Sequence, residues 1–169
     1  DINVSELLNE ISVLLESSIP KKAKLNLELA KNLPFVRVDA TQLRQIMMNL
    51  VINAAEAIGD KNGIIRCFTG LERATREYLD DAINGATLPE GDYVFVEVSD
   101  TGCGMDADTM KRIFEPFFTT KFTGRGLGLA ATLGIVRGHR GALRVYSEVG
   151  RGSVFKILLP ASSKDAPDG

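Results

Sequence analysis

Asn49 and Asn53 stand one helical turn apart in the stretch Thr41–Gly59, TQLRQIMMNLVINAAEAIG. On a helix they lie about 40° from each other at ~100° per residue, so their two amides can point at the same ligand atom. Asp100 ends an apolar strand and runs into Gly102 and Gly104. A carboxylate there can accept hydrogen bonds from a buried amine, while the glycines let backbone approach a flat ligand closely. Gly124-Arg125-Gly126-Leu127-Gly128-Leu129 opens a helix. Unpaired N–H groups at a helix start, left unobstructed by glycine, suit an anion, and Lys121 just upstream can reach a phosphate as a point charge. Each feature alone has a plainer reading: a solvated helix edge, a turn aspartate, an exposed lysine.

Other candidates are weaker. His139 is the sole histidine; beside Gly138 and Gly141 it reads as a capping or turn residue, which leaves a hydrolase triad without support. Cys67 and Cys103 belong to no CxxC or Cys/His cluster, which argues against zinc and fits a reducing compartment. Phe114-Glu115-Pro116-Phe117-Phe118 is an aromatic knot suited to pinning a loop to the core or to a partner.

The elements that position these residues follow from periodicity. Leu43, Ile46, Met47, Leu50, Val51, Ala54, Ala57 and Ile58 recur at helical spacing, with Asp39 or Thr41 as cap and Gly59 as the stop. Asp1–Ser17 predicts one helix, capped by Asp1 or Asn3. Leu25–Leu29, Ile64–Phe68 and Tyr93–Ser99 read as strands, the last with Val94, Val96 and Val98 on one face. Gly70–Gly91 reads as an irregular, partly helical insertion between paired strands. A short helix is expected around Thr109–Phe114, a longer one over Leu127–Gly138, and a closing hairpin from Ala142–Ser147 and Ser153–Leu159. The pattern predicts an α/β (α+β) two-layer sandwich, a mixed sheet covered on one face by helices.

At 169 residues, 44% hydrophobic and 25% charged, the chain suits one soluble domain over 1–160, with 161–169 as a tail or linker. A net charge of −2 exerts no global pull toward nucleic acid or anionic membrane. No apolar run approaches the ~18 residues that span a bilayer, so a cytoplasmic domain without membrane contact is expected.

Taken in order, QLRQIMMNLVINAAEA, VSDTGCGM, IFEPFFTTK and GRGLGLA resemble the asparagine, first glycine, phenylalanine and second glycine boxes of the catalytic and ATP-binding domain of bacterial sensor histidine kinases. The wider superfamily includes DNA gyrase and mismatch-repair ATPases. The resemblance implies that Asn53 holds the Mg²⁺ bridging the ATP phosphates, with Asn49 in support. It implies that Asp100 receives the adenine amino group, and that Gly102, Gly104 and Met105 shape the base pocket. Asp106–Arg125 would be the ATP lid, with Lys121 and the amides of Gly126, Leu127 and Gly128 around the triphosphate. Ser153 stands where the family often has a threonine near the adenine.

ATP and Mg²⁺ are thus the implied cofactors. The implied partners are a dimerisation domain carrying the phosphoacceptor histidine, from which residues 1–17 would lead, and a response regulator receiver domain. In ATPase relatives a glutamate one turn before the metal asparagine activates water. Asn49 stands there instead, which favours phosphoryl transfer over hydrolysis. A conformational ATPase and a degenerate nucleotide-binding interaction module are the alternatives.

Overall fold

The computed structural model describes residues 1–115 and 128–162. The elements are α1 (Val4–Glu10), α2 (Ser12–Ser17), β1 (Ala23–Glu28), α3 (Ala40–Ile58), β2 (Gly63–Ala74), α4 (Arg76–Asp80), β3 (Gly91–Asp100), α5 (Ala107–Arg112), α6 (Gly128–Gly138), β4 (Ala142–Glu148) and β5 (Gly152–Pro160). The five strands form one mixed sheet in the order β1-β2-β3-β5-β4, with β1 parallel to β2 and the other neighbours antiparallel. The expected α+β architecture is present.

α3 is the central helix of the covered face. Asp39 caps it by accepting from the Gln42 N–H at 3.0 Å, and Gly59, at φ 67°, ends it. Its buried face runs Leu43, Ile46, Met47, Leu50, Val51, Ala54, Ala55 and Ile58. Ala57, read from the sequence as part of that face, is only half-buried, and Ala55 takes the buried place. α3 and the neighbouring helices bury Ile65, Cys67, Val94, Val96, Val98, Leu143, Ile157 and Leu159 of the sheet beneath them. Burial there pushes the Cys67 thiol up to about 12, so it behaves as a small apolar side chain.

Two expectations change. The N-terminal segment is two short helices rather than one, broken at Ile11 (φ −96°, ψ 7°), with Asn3 as the cap of α1. The Gly70–Gly91 stretch is far more ordered than its composition suggests. β2 runs on to Ala74, paired with β3 from Gly70↔Phe95 to Ala74↔Gly91. Gly70 lets the Phe95 ring lie on the strand: a Cβ there would sit 2.5 Å from the ring, which would have to shift. Residues 75–90 then cross the other sheet face, where Leu79, Ala82 and Leu88 bury Tyr93, Ala142 and Leu158 in a second, smaller core. Ile83 makes an antiparallel bridge to Leu143 at the β4 edge.

Candidate functional site

The sequence-predicted residues fall into two groups tied together by α3. At the first, the Asn49 Nδ2 donates to the Gly128 carbonyl at 3.2 Å, and the Thr132 hydroxyl donates to the same oxygen at 2.9 Å. Gly128 is the first residue of α6. A Cβ on it would lie 3.9 Å from Asn53 Nδ2 and 4.0 Å from Asn49 Cγ, so its missing side chain leaves space directly over both amides. The Asn53 Nδ2 is buried and has no hydrogen-bond partner among the described residues. A buried amide N–H without an acceptor costs on the order of 1–3 kcal/mol, and this one faces a helix start.

The second group surrounds the end of β3. Asp100 is buried and accepts from the Gly102 N–H at 2.8 Å. Burial pushes its carboxyl up from 3.8 to about 6, against the opposite pull of the Gly102 and Ser153 N–H groups. Gly102 must be glycine: a Cβ would meet the Ala57 backbone at 2.6 Å. The Cys103 N–H donates to the Ala57 carbonyl at 3.0 Å, so this loop is moored one turn beyond Asn53 on the same helix. Gly104, at φ +70°, has no room for a Cβ against the Glu148 carbonyl. The Met105 N–H donates to Ser147 Oγ at 2.8 Å, and Ser147 Oγ lies 2.7 Å from Ser153 Oγ.

Asp100, Ser147 and Ser153 line a cleft of about 530 Å³, together with Met110 of α5 and Val145, Tyr146, Glu148, Arg151, Gly152 and Val154 of the hairpin. That volume suits a small organic ligand. Asn49 and Asn53 are not among its lining residues, and Lys121, Gly126 and Leu127 lie outside the described residues, as does the second half of the expected lid.

Sequence reasoning passed over Ser147 and Thr132. A serine on the inward-facing register of a strand that also carries Leu143 and Val145 was the available signal for the first. His139 proves structural, as its turn context suggested. Its Nδ1 lies 2.8 Å from the Ile135 carbonyl, and its Nε2 accepts from the Asp39 N–H at 3.2 Å, which sets a neutral ring with the proton on Nδ1.

Residues 38–163 match the family described as histidine kinase-, DNA gyrase B- and HSP90-like ATPases. The chain belongs to that family. Within it, sensor kinase CckA of Brucella abortus is 37% identical over 164 residues, covering 94% of this chain and 17% of that protein. The sensory histidine kinase/phosphatase NtrB of Rhizobium leguminosarum is 34% identical over 166 residues, covering 98% of this chain and 42% of that protein. The chain therefore spans less than half the length of these curated relatives.

The solved catalytic domain of histidine kinase ThkA is 31% identical, with a TM-score of 0.72 over 95% of this chain and 93% of that one. Full-length ShkA, solved in complex with AMPPNP, is 27% identical, with a TM-score of 0.75 over 98% of this chain and 31% of that one. The chain is accordingly a histidine kinase-type ATP-binding catalytic domain.

The site suits the ligands the family implies. The orphaned Asn53 donor and the open space at Gly128 match a phosphate oxygen. No cluster of three or more His, Cys, Asp or Glu able to hold a metal occurs among the described residues. The Asn53 amide oxygen is a hard oxygen donor of the kind Mg²⁺ takes alongside phosphate oxygens and water.

Proposed function

We propose that this domain binds Mg²⁺–ATP and donates the γ-phosphoryl group to a histidine on a separate dimerisation domain, for onward transfer to a receiver domain. The unit is residues 1–160, with 161–169 as a tail. The observation that carries the reading is the buried Asn53 Nδ2, which has no acceptor among the described residues and faces the Cβ-less start of α6. A triphosphate supplies the acceptor that this donor lacks. The ion, when bound, neutralises phosphate charge.

The chain's own residues do the rest. Asp100 holds the base amine, and Gly102 and Gly104 let backbone pack close to the ring. The N–H groups opening α6 face the phosphates. In the transfer, the incoming imidazole nitrogen forms the N–P bond as the bond between the γ-phosphorus and the bridging oxygen breaks, and ADP leaves with that oxygen. Asn49 has no basic lone pair with which to activate water, and its amide is engaged with Gly128. Positioning and charge complementarity thus carry catalysis.

Calorimetric titration with ADP and ATP, with and without Mg²⁺, tests this. Wild type is expected to bind both nucleotides, and Asn53→Ala to lose the Mg²⁺ enhancement. Gly128→Ala has ordinary van der Waals room in the fold, so it is expected to keep the melting temperature while losing at least tenfold in affinity, ~1.4 kcal/mol. With γ-labelled ATP the domain alone is expected to retain no stable label. Absence of nucleotide binding by wild type overturns the proposal; steady release of phosphate by the domain would instead mark a hydrolase.

A further inference from the structure

The Gly128 carbonyl is gripped by two side chains from different elements. Asn49 Nδ2 of α3 donates to it at 3.2 Å, and the hydroxyl of Thr132, one turn further along α6, donates at 2.9 Å. A carbonyl oxygen only accepts, so the direction of both bonds is fixed. Thr132 is 0% exposed. A valine would fill that space with no hydroxyl to satisfy, and a threonine bonding back to the carbonyl four residues earlier mildly disfavours the helix. Packing and helix stability thus give no reason for the hydroxyl.

The peptide it grips does give one. The Gly128 carbonyl and the Leu129 N–H belong to the same planar trans unit and point in opposite directions, so fixing the oxygen aims the N–H. Leu129 is the second residue of α6, and its N–H is among the first four that find no acceptor within a helix. Glycine on its N-terminal side leaves this peptide free to rock unless something holds it. The α3 donor sets its tilt against the asparagine helix, and the α6 donor sets its tilt against the helix axis. Donors on the oxygen also strengthen the attached N–H as a donor in turn. The missing Cβ of Gly128 keeps the space beside Asn53 Nδ2 open.

We propose that Thr132 is a positioning residue for the phosphate end of the site: with Asn49 it fixes the Gly128–Leu129 peptide so that the Leu129 N–H donates to a phosphate oxygen. This rests on the nucleotide reading above and deepens it. The ligand is met by a main-chain group, and the Thr132 hydroxyl acts only through that peptide.

The test titrates ADP and adenosine, which share base and sugar and differ in the phosphates, into wild type, Thr132→Val and Thr132→Ser under amide-resolved NMR. In wild type the Leu129 amide proton is expected to move downfield with ADP and hardly at all with adenosine. Thr132→Val is expected to weaken ADP roughly fivefold, the scale of one hydrogen bond, and to shrink the Leu129 displacement. Its adenosine affinity and melting temperature are expected to hold. Thr132→Ser keeps the hydroxyl and is expected to restore both ADP readouts. Thr132→Ala carries the comparison if Thr132→Val does not fold.

Unchanged ADP affinity in Thr132→Val, a loss shared equally by ADP and adenosine, or a loss that serine does not rescue means that Thr132 is merely structural and overturns the proposal. Wild type that binds ADP without moving the Leu129 amide overturns this inference alone. Wild type that binds neither ligand overturns the nucleotide reading, and this inference with it.

Discussion

Asp100 is buried where a charged form is needed, and the pH dependence follows from that conflict. Its carboxyl titrates at about 6 in the folded protein against 3.8 in the open chain, burial being the main cause. Between those values the native state binds the extra proton, so stability falls as pH rises across the window. The contribution is fully present below 3.8 and lost as pH passes about 6. Urea unfolding from pH 4 to 8 is expected to show Asp100→Asn gaining on wild type by up to about 3 kcal/mol at the alkaline end, at ~1.4 kcal/mol per pH unit. Nucleotide affinity should run the other way, weakening below pH 6 as the carboxylate acceptor is protonated. Calorimetry with ADP at pH 5 and 7.5 reads that directly.

The sequence marked Asp100, because a carboxylate at the end of an alternating strand before glycines is visible locally. Its upward shift was not visible, since it depends on burial, which only the packed fold supplies. Ser147 was hidden for the same reason: its partners Met105 and Ser153 come from different parts of the chain.

Among the elements, α3 was the most legible, because cap, apolar stripe and terminal glycine agree. Its cap does one further thing. The Asp39 carboxylate bonds the Gln42 N–H, while the Asp39 N–H donates to His139 at the end of α6, so the two helices of the asparagine site are joined at that end. Asp39→Ala removes only the first bond. The expected loss is about 1 kcal/mol in urea unfolding, with the helix retained. β2 was the least legible element. Its second half, GLERA, shows no apolar alternation and contains a glycine. It is a strand because β3 supplies the hydrogen-bonding ladder and Phe95 covers Gly70.

At the scale of the molecule, α3, α6 and the functional groups lie on one sheet face, and residues 75–90, α4 among them, seal part of the other. Arg76 organises that cover: its guanidinium donates to Asp80 Oδ1 and to the carbonyls of Leu88 and Gly85. Tyr93 reaches the same segment, donating to the Pro89 carbonyl at 2.6 Å. Arg76→Ala is expected to speed proteolytic cleavage within 75–90 and to lower unfolding free energy by on the order of 1–2 kcal/mol. ADP affinity should stay at the wild-type value, because the bonds of the Arg76 guanidinium lie within this segment and not at the cleft. A parallel loss of affinity would show that the two faces are coupled.

The sequence by itself determined the residue types and the local geometry that chemistry requires: the asparagine pair on one helix edge, the carboxylate before glycines, the alternation of Val94, Val96 and Val98. These depend on neighbours within a few residues, through helical and strand periods that any reader of the chain can apply. Only the tertiary structure decided which groups meet. Asn49 is bound to Gly128, the Asn53 Nδ2 has no acceptor among the described residues, Ser147 is bonded to both Met105 and Ser153, and residues 75–90 lie across the back of the sheet. Each pairing is set by strand order and helix packing, long-range contacts that no local period encodes.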